Sequence, residues 1–527
     1  MIHSSYKEAM MESDPALPPS LQPPPPPPTP SAEQRLHPLT LLISTIRVLR
    51  GFLIPAIFVI ATGNASIAPF LLSILGLSLL NSFIRYFTFS YRIQNGELVT
   101  RQGLLSRQER NIPLHRVQDL RLEAGLLHRM LRVVDVQVET AGGKGVEAEL
   151  SVLSRETAAN LRHAIFSHPT HQESPSPATE TPDNTLVQLG WRELILEGLT
   201  SNRAASLLVL IGAAAGFADD LIPQSTIQDW LSRLGPQAEE WLSHNHQLQW
   251  KPILLLAAIL TLASVAFSIA GSIILFHNFT LKRRGNDLFR TYGLLTRRTS
   301  NLPRHRIQLL VVEEPLVRRV LKLARIRADT ATQRSNNQEE QKGGRDVLVP
   351  LARKSNLPLL LPELSNDLHP LPRHWTQVAP CAVSRANKKS TLAILSLTII
   401  LAAGPLQFIS TIPPLHAFWL LTLIPITRWI NRRAYQHLGF ADTQSAFHTR
   451  RGWLNRITHS VPVRNLQVVT LHQNPWDRHH DVYTLRIDTA GQSYAGHAPM
   501  LRNIPAHTAS SLAASLAQRA SQTRYQT

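Results

Sequence analysis

The chain has 527 residues, a formal net charge of +18 and a pI near 10.7, which is long enough for several domains. Its single cysteine, Cys381, excludes an internal disulfide framework and a thiolate metal cluster within one chain. The mean hydropathy of -0.07 averages very apolar segments with polar ones, and arginines crowd the ends of the apolar segments. The positive charge therefore reads as membrane topology rather than as nucleic-acid binding.

In chain order, residues 1–38 form an expected disordered tail with polyproline II character around Pro23 to Pro28. No signal peptide is expected, because the first apolar segment is long and starts far from the terminus. Residues 39–88 hold two apolar runs joined by Thr62-Gly63-Asn64-Ala65-Ser66, each near the roughly 20 helical residues needed to cross a bilayer. This is the first transmembrane hairpin. Arg47 and Arg50 are awkward inside it unless the helix starts late, tilts or lets these side chains reach the headgroups.

Residues 89–168 form the first soluble module. Phe89 to Ile93 and Glu97 to Arg101 are strands around an Asn95-Gly96 turn. Gly103 makes a second turn, and Arg110 to Pro113 and Val117 to Leu122 follow as extended chain. Leu126 to Leu131 is a short amphipathic helical turn. Val133 to Thr140 alternates as a half-buried strand, Glu149 to Leu153 is the last strand, and Arg155 to Phe166 is a helix with Ala158, Leu161 and Ile165 on one face. A Ser/Pro/Thr-rich linker at 169–190 leads to a second hairpin at 191–276, with an amphipathic approach at Trp191 to Leu199 and an outer loop at 219–249 poor in basic residues. The second module occupies 277–362, with Leu357 to Leu360 and the prolines up to Pro380 read as linker, placed formally at 363–388. A third hairpin at 389–430 contains several prolines, and the third module runs over 431–519, closed by a helix with Ala509, Leu512, Ala513 and Leu516 on one face. Lys282-Arg283-Arg284 and Arg428, Arg432 and Arg433 mark cytoplasmic exits, placing all modules and both termini on the basic side.

The modules repeat. Gly103, Gly293 and Gly452 each precede a proline (Pro113, Pro303, Pro462) by 10 residues; a glutamine (Gln118, Gln308, Gln467) follows 5 later, and Thr140, Thr330 and Thr489 follow 22 after that. Such fixed offsets indicate a triplicated domain. The glycines and prolines serve turns and strand edges before any chemistry. The basic residues near the prolines, Arg107, Arg110, Arg116, Arg297, Arg298, Arg304, Arg306, Arg456 and Arg464, are candidates for contact with an anionic surface; Asn465 stands where the first two copies have Arg116 and Arg306. His479-His480-Asp481 holds metal-ligand types without a strong motif. Gly142-Gly143-Lys144-Gly145 lacks the rest of a phosphate loop. No serine elbow, repeated carboxylate pair or zinc-protease motif is present, so no catalytic residue, cofactor or metal is assigned.

The hairpin followed by Tyr91-Arg92-Ile93 and Gly96, then Gly103-Leu104, Ile112-Pro113, Arg116-Val117-Gln118 and Thr140-Ala141, resembles the YdbT-like membrane-flanked proteins, whose soluble modules are bacterial pleckstrin-homology-like domains of the second type. Gly293-Leu294, Leu302-Pro303, Arg306-Ile307-Gln308 and Thr330-Ala331 carry the resemblance into the second copy. Gly452, Val461-Pro462, Gln467 and Asp488-Thr489-Ala490 carry it into the third. It implies an α+β multidomain membrane protein with three hairpins, each followed by a bent antiparallel sheet capped by a helix. It carries no catalytic constellation onto this chain, and a shared fold does not establish lipid specificity. The expectation is a noncatalytic bacterial inner-membrane scaffold with cytoplasmic modules whose partners are membrane lipids and a membrane or cytoplasmic protein, not nucleic acid. A transporter or transport accessory and a membrane enzyme are the alternatives.

Overall fold

The computed structural model describes the chain except for residues 1–33, 63–64, 95, 105, 115–116, 141–145, 167–183, 202–249, 331–346, 369, 404–413, 490–498 and 523–527. The outer loop at 219–249, the Pro23 to Pro28 run and the Gly142 to Gly145 turn fall outside the described residues.

In the first module the strands are β1 (Gln34–Arg35), β2 (Ser90–Gln94), β3 (Glu97–Gln102), β4 (Gln108–Pro113), β5 (Val117–Ala124), β6 (Val133–Thr140) and β7 (Val146–Ser154). The second module has β8 (Asn184–Gln188), β9 (Thr280–Arg284), β10 (Asp287–Tyr292), β11 (Arg297–Pro303), β12 (Ile307–Pro315), β13 (Leu323–Thr330) and β14 (Val347–Arg353). The third has β15 (Thr376–Gln377), β16 (Gly439–Asp442), β17 (Ala446–Arg451), β18 (Asn455–Pro462), β19 (Leu466–His472), β20 (Val482–Thr489) and β21 (Met500–Pro505). The helices are α1 (Leu39–Thr62), α2 (Ala68–Thr88), α3 (Leu126–Met130), α4 (Arg155–Phe166), α5 (Trp191–Thr200), α6 (Trp250–Phe276), α7 (Leu316–Val320), α8 (Leu357–Leu364), α9 (Cys381–Ala403), α10 (Leu423–Gln436), α11 (Pro475–His479) and α12 (Ala506–Gln522).

Each module begins before its hairpin. β1, β8 and β15 pair antiparallel with β2, β9 and β16, the strands that follow the hairpins. The hairpin is thus an insertion between the first two strands of a sheet, and both of its ends are fixed by backbone hydrogen bonds. The last residues of the segment expected as a tail therefore belong to the first module: Gln34 and Arg35 pair in β1, and Leu36 is buried in its core. Asn184–Gln188, expected as linker, is strand β8.

The second halves of the modules do not close on their own first halves. The strand order β7-β6-β5-β11-β10-β9-β8 makes one seven-stranded sheet from the end of the first module and the start of the second. The order β14-β13-β12-β18-β17-β16-β15 repeats this between the second and third. Four strands, β1 to β4, are left at one end, and three, β19 to β21, at the other. The cores cross the joints as well: Leu309 and Val311 of β12 pack with Phe440 and Phe447 of the third module, while Ala446 of β17 joins the core of the second.

Among the described residues, Leu39–Ile57, Ala68–Thr88 and Ala258–Phe276 are long and apolar enough to cross a membrane. The Leu357 to Leu360 stretch, expected as linker, is instead the closing helix α8, with Leu357, Leu360, Leu361 and Leu364 buried. Pro358 lies in its first turn, where the missing N–H costs nothing, and the leucine spacing provides an apolar face that the core rewards. α4 and α12 close the other modules, burying Ala158 and Leu161 in the one and Ala509, Leu512 and Leu516 in the other.

Candidate membrane-facing site

The repeated glycines make a tight turn, which in the second and third modules meets the hairpin. Gly103, Gly293 and Gly452 have φ of 102°, 112° and 86°, and a Cβ at Gly293 would lie 2.0 Å from the Thr296 carbonyl oxygen. Only glycine fits both the left-handed backbone and that closeness. In the second module the Gly293 N–H donates to the His277 carbonyl at 3.0 Å and the Leu294 N–H to that of Ile274 at 2.9 Å, so the turn covers the last carbonyls of α6. In the third, Trp453 meets Trp429 of α10 edge-on at 5.1 Å, and the Arg433 guanidinium lies over the Trp429 ring. The turns of the second and third modules therefore pack against the ends of hairpin helices, and Leu104, Leu295 and Leu454, which follow the three glycines, are exposed.

The short helices α3, α7 and α11 are drawn to the same level. The Arg129 guanidinium donates to the Leu294 carbonyl and Arg319 to that of Trp453, each at 2.7 Å and each onto the turn of the next module. These helices expose Met130, Val320 and Trp476, at 80%, 73% and 76% of their possible surface. An apolar rim beside the spanning helices, flanked by arginines, is a surface suited to the headgroup boundary of a bilayer.

One ionisable residue in the first helix of every hairpin is tied to the module behind it. Arg47 of α1 pairs with Asp135 at 3.0 Å, and His128 Nε2 lies 3.3 Å from the same carboxylate. Glu197 of α5 pairs with Arg318 at 3.3 Å and Arg325 at 2.5 Å, and accepts a hydrogen bond from Ser272 of α6 at 2.6 Å. Arg385 of α9 pairs with Asp477 at 2.6 Å. His128, Arg318 and Asp477 occupy the same repeat position, so the location persists while the charges change sign. Burial raises the Asp135 carboxyl, but the His128 contact, the Val152 N–H and Arg47 outweigh it and hold the group below its usual range. Burial and the neighbouring Arg325 push Arg318 down to about 10 against the pull of Glu197, leaving it charged at neutral pH. The awkward Arg47 of the sequence is thus a clasp residue. Glu197 went unremarked; an acid inside an apolar segment was the available signal.

Arg298 lies 3.4 Å from Glu123 across the first joint. Arg456 lies 3.7 Å from Glu314 across the second and donates to His437 Nδ1 at 3.0 Å. Burial, together with Arg456, Arg319, Arg450 and Arg433, pushes His437 down to about 4, so its neutral ring accepts that bond. Arg304 is buried and donates to the Pro362 carbonyl at 2.6 Å. Arg464 pairs with Asp367 at 2.7 Å. Arg306 is half-buried, Arg107, Arg110 and Arg297 are exposed, and Arg116 lies outside the described residues. The structure brings Arg297, Arg298 and Arg456 to the joints and does not gather the nine arginines into one cluster.

Asp477, in the histidine-rich stretch, forms a capping box with Asn474: the Asp477 N–H donates to the Asn474 side chain at 3.0 Å and the Asn474 N–H to the Asp477 carboxylate at 3.2 Å. His479 and His480 stand edge to face. Among the described residues no three His, Cys, Asp or Glu side chains converge on a metal position.

The family model described as "Bacterial PH domain" matches residues 44–168, 237–366 and 381–520. The chain is 23% identical over 489 residues to the UPF0699 transmembrane protein YdbT of Bacillus subtilis (strain 168), covering 88% of this chain and 94% of that one. No solved structure matches it. With three matches that lie on its three hairpin-and-sheet repeats, the chain belongs to the bacterial PH-domain family.

Proposed function

We propose that this protein is a noncatalytic scaffold of the bacterial inner membrane, with its PH-like modules and termini in the cytoplasm. The observation that carries this reading is that neighbouring modules share sheets, giving a continuous platform that carries exposed apolar side chains such as Met130, Val320 and Trp476 and the exposed Arg107, Arg110 and Arg297. The platform holds its modules in a set order on the leaflet and offers its far side to a membrane or cytoplasmic protein partner. Arg107, Arg110 and Arg297, all exposed, meet anionic headgroups, and Met130, Val320 and Trp476 enter the headgroup boundary. Lysine- and arginine-rich exits at Lys282 to Arg284 and Arg428 to Arg433 support the cytoplasmic orientation.

In-cell crosslinking with mass spectrometry, comparing the intact protein with forms lacking single modules, tests the scaffold. Protein neighbours that disappear with a given module are the expected result. Robust hydrolysis, group transfer or solute flux by the purified protein in liposomes, abolished by a defined substitution, would replace the scaffold with an enzyme or a transporter.

A further inference from the structure

The two internal joints obey one rule. The repeat offset is 190 residues from Gly103 to Gly293 and 159 from Gly293 to Gly452. At the first joint Arg297, Arg298 and Thr299 of β11 stand opposite Ala124, Glu123 and Leu122 of β5. At the second, Arg456, Ile457 and Thr458 of β18 stand opposite Glu314, Glu313 and Val312 of β12. Shifted by the repeat offsets, the two registers are the same. Both joints also carry the same clamp, Arg129 onto the Leu294 carbonyl and Arg319 onto that of Trp453. The repeat equivalent of Arg129 and Arg319 in the third module is Arg478, which is exposed, and the equivalent of Leu294 and Trp453 in the first is Leu104, which is exposed too.

Among the described residues, β4 and β19 are therefore two halves of one joint. Among the described residues, β4 is the last strand of its sheet and β19 the first of another. They are the repeat equivalents of β11 and β18 on one side and of β5 and β12 on the other. The buried Leu309 and Val311 of β12, which pack in the core of the following module, correspond to Val468 and Thr470 of β19, both exposed. Open, regular edges of this kind are templates for another strand.

We propose that β19 of one chain pairs antiparallel with β4 of a second copy, head to tail, in the register of the internal joints. Gln108 then stands opposite His472, Arg107 opposite Gln473, and Arg478 donates to the Leu104 carbonyl of the neighbouring copy. Such a contact is heterologous, so it propagates until it closes. Because each internal joint leaves successive hairpins in one membrane, its repetition turns about the membrane normal without rise; the product is a planar arc or ring rather than a climbing filament.

The test uses the full-length protein in native membranes with Cys381→Ser as background. Two differently tagged chains are co-expressed, one with Gln108→Cys and the other with His472→Cys, and oxidised without a spacer. A disulfide-linked pair carrying both tags is expected, about tenfold more abundant than from Gln108→Cys with Thr470→Cys, because directly opposed residues approach to about 5 Å while those two positions away are about 7–8 Å apart. A chain carrying both Gln108→Cys and His472→Cys is expected to give a ladder of covalent multiples. Adding Arg478→Ala should lower the yield of the mixed pair without lowering the unfolding temperature. As a second measurement, the unmodified protein extracted in lipid discs should show masses that are multiples of one chain. Absence of the mixed pair, an equal yield from the off-register pair, cross-linking of the doubly substituted chain only onto itself, or a single-chain mass in lipid discs overturns the proposal.

Discussion

Two glycine positions with left-handed backbones face opposite constraints. Gly293 combines φ of 112° with a Cβ position 2.0 Å from a carbonyl oxygen, whereas Gly96 has φ of 74° and nothing within 4 Å. Gly293→Ala should destabilise the nanodisc-embedded protein by about 2–3 kcal/mol, and Gly96→Asn should change it by less than about 0.5 kcal/mol, since Asn tolerates the left-handed region. Denaturant unfolding of both variants checks the contrast, and equal losses would remove the steric argument. His448 offers a pH test. It is buried with Nδ1 2.9 Å from Ser460 Oγ, and burial lowers its pKa from 6.5 to about 4. The native protein keeps the ring neutral while the unfolded chain takes up a proton below pH 6.5. Stability is thus full above pH 6.5 and falls by up to ~3 kcal/mol as pH drops toward 4. His448→Asn should reduce the slope of unfolding midpoint against pH within that window without abolishing it, because His437 is lowered to about 4 as well; an unchanged slope would assign the loss to other groups.

Among the elements, α8 shows how packing decides what composition leaves open. Its prolines resemble those of a linker, but Leu361 and Leu364 are 1% and 0% exposed inside the second core. Leu361→Ala should cost about 2–5 kcal/mol, measured as a lowered unfolding midpoint, against a small change for the exposed Leu359→Ala. The clasp between α5 and the second module gives a further prediction. Glu197→Gln leaves the buried Arg318 without its counterion and should destabilise the protein by about 3–5 kcal/mol, while adding Arg318→Met should restore part of that loss. A double-mutant cycle with no coupling would mean that the pair contributes nothing to holding the helix on the module. Gly198 lies beside the pair, and a Cβ there would come 2.5 Å from the Ile269 Cα of α6. The same short stretch therefore sets both helix approach and charge pairing.

At the scale of the molecule, shared sheets couple modules that the sequence presents as beads on a string. β12 has β13 on one side and β18 on the other, and its Leu309 and Val311 sit in the third core. Phe447→Ala, made in the third module, should therefore speed amide hydrogen exchange in β12 of the second. Exchange confined to the third module would show that the joint transmits no stability. The same coupling explains why the edges at β4 and β19 matter: each is half of a joint, and those are the positions at which the proposed contact with a further copy would form.

The sequence by itself determined the repeat, the hairpins and most of the local structure. Fixed Gly, Pro, Gln and Thr offsets gave the module frame, and strand alternation and helical spacing placed β2, β3, β6, α4 and α12, because these patterns are periodic and local. It also showed, at Arg47, a charge awkward in an apolar run, though not that Asp135 would pair with it. The candidate site was legible only in part. Arg298, Arg304, Arg456 and Arg464 look alike along the chain, yet Glu123, the Pro362 carbonyl, Glu314 and Asp367 engage them in space. Tertiary structure alone decided those partners, the burial of Glu197 and the passage of sheets from one module to the next. Strand pairing and charge burial depend on groups distant in sequence, and hydrophobic periodicity reports which face is buried but not which strand lies beside it.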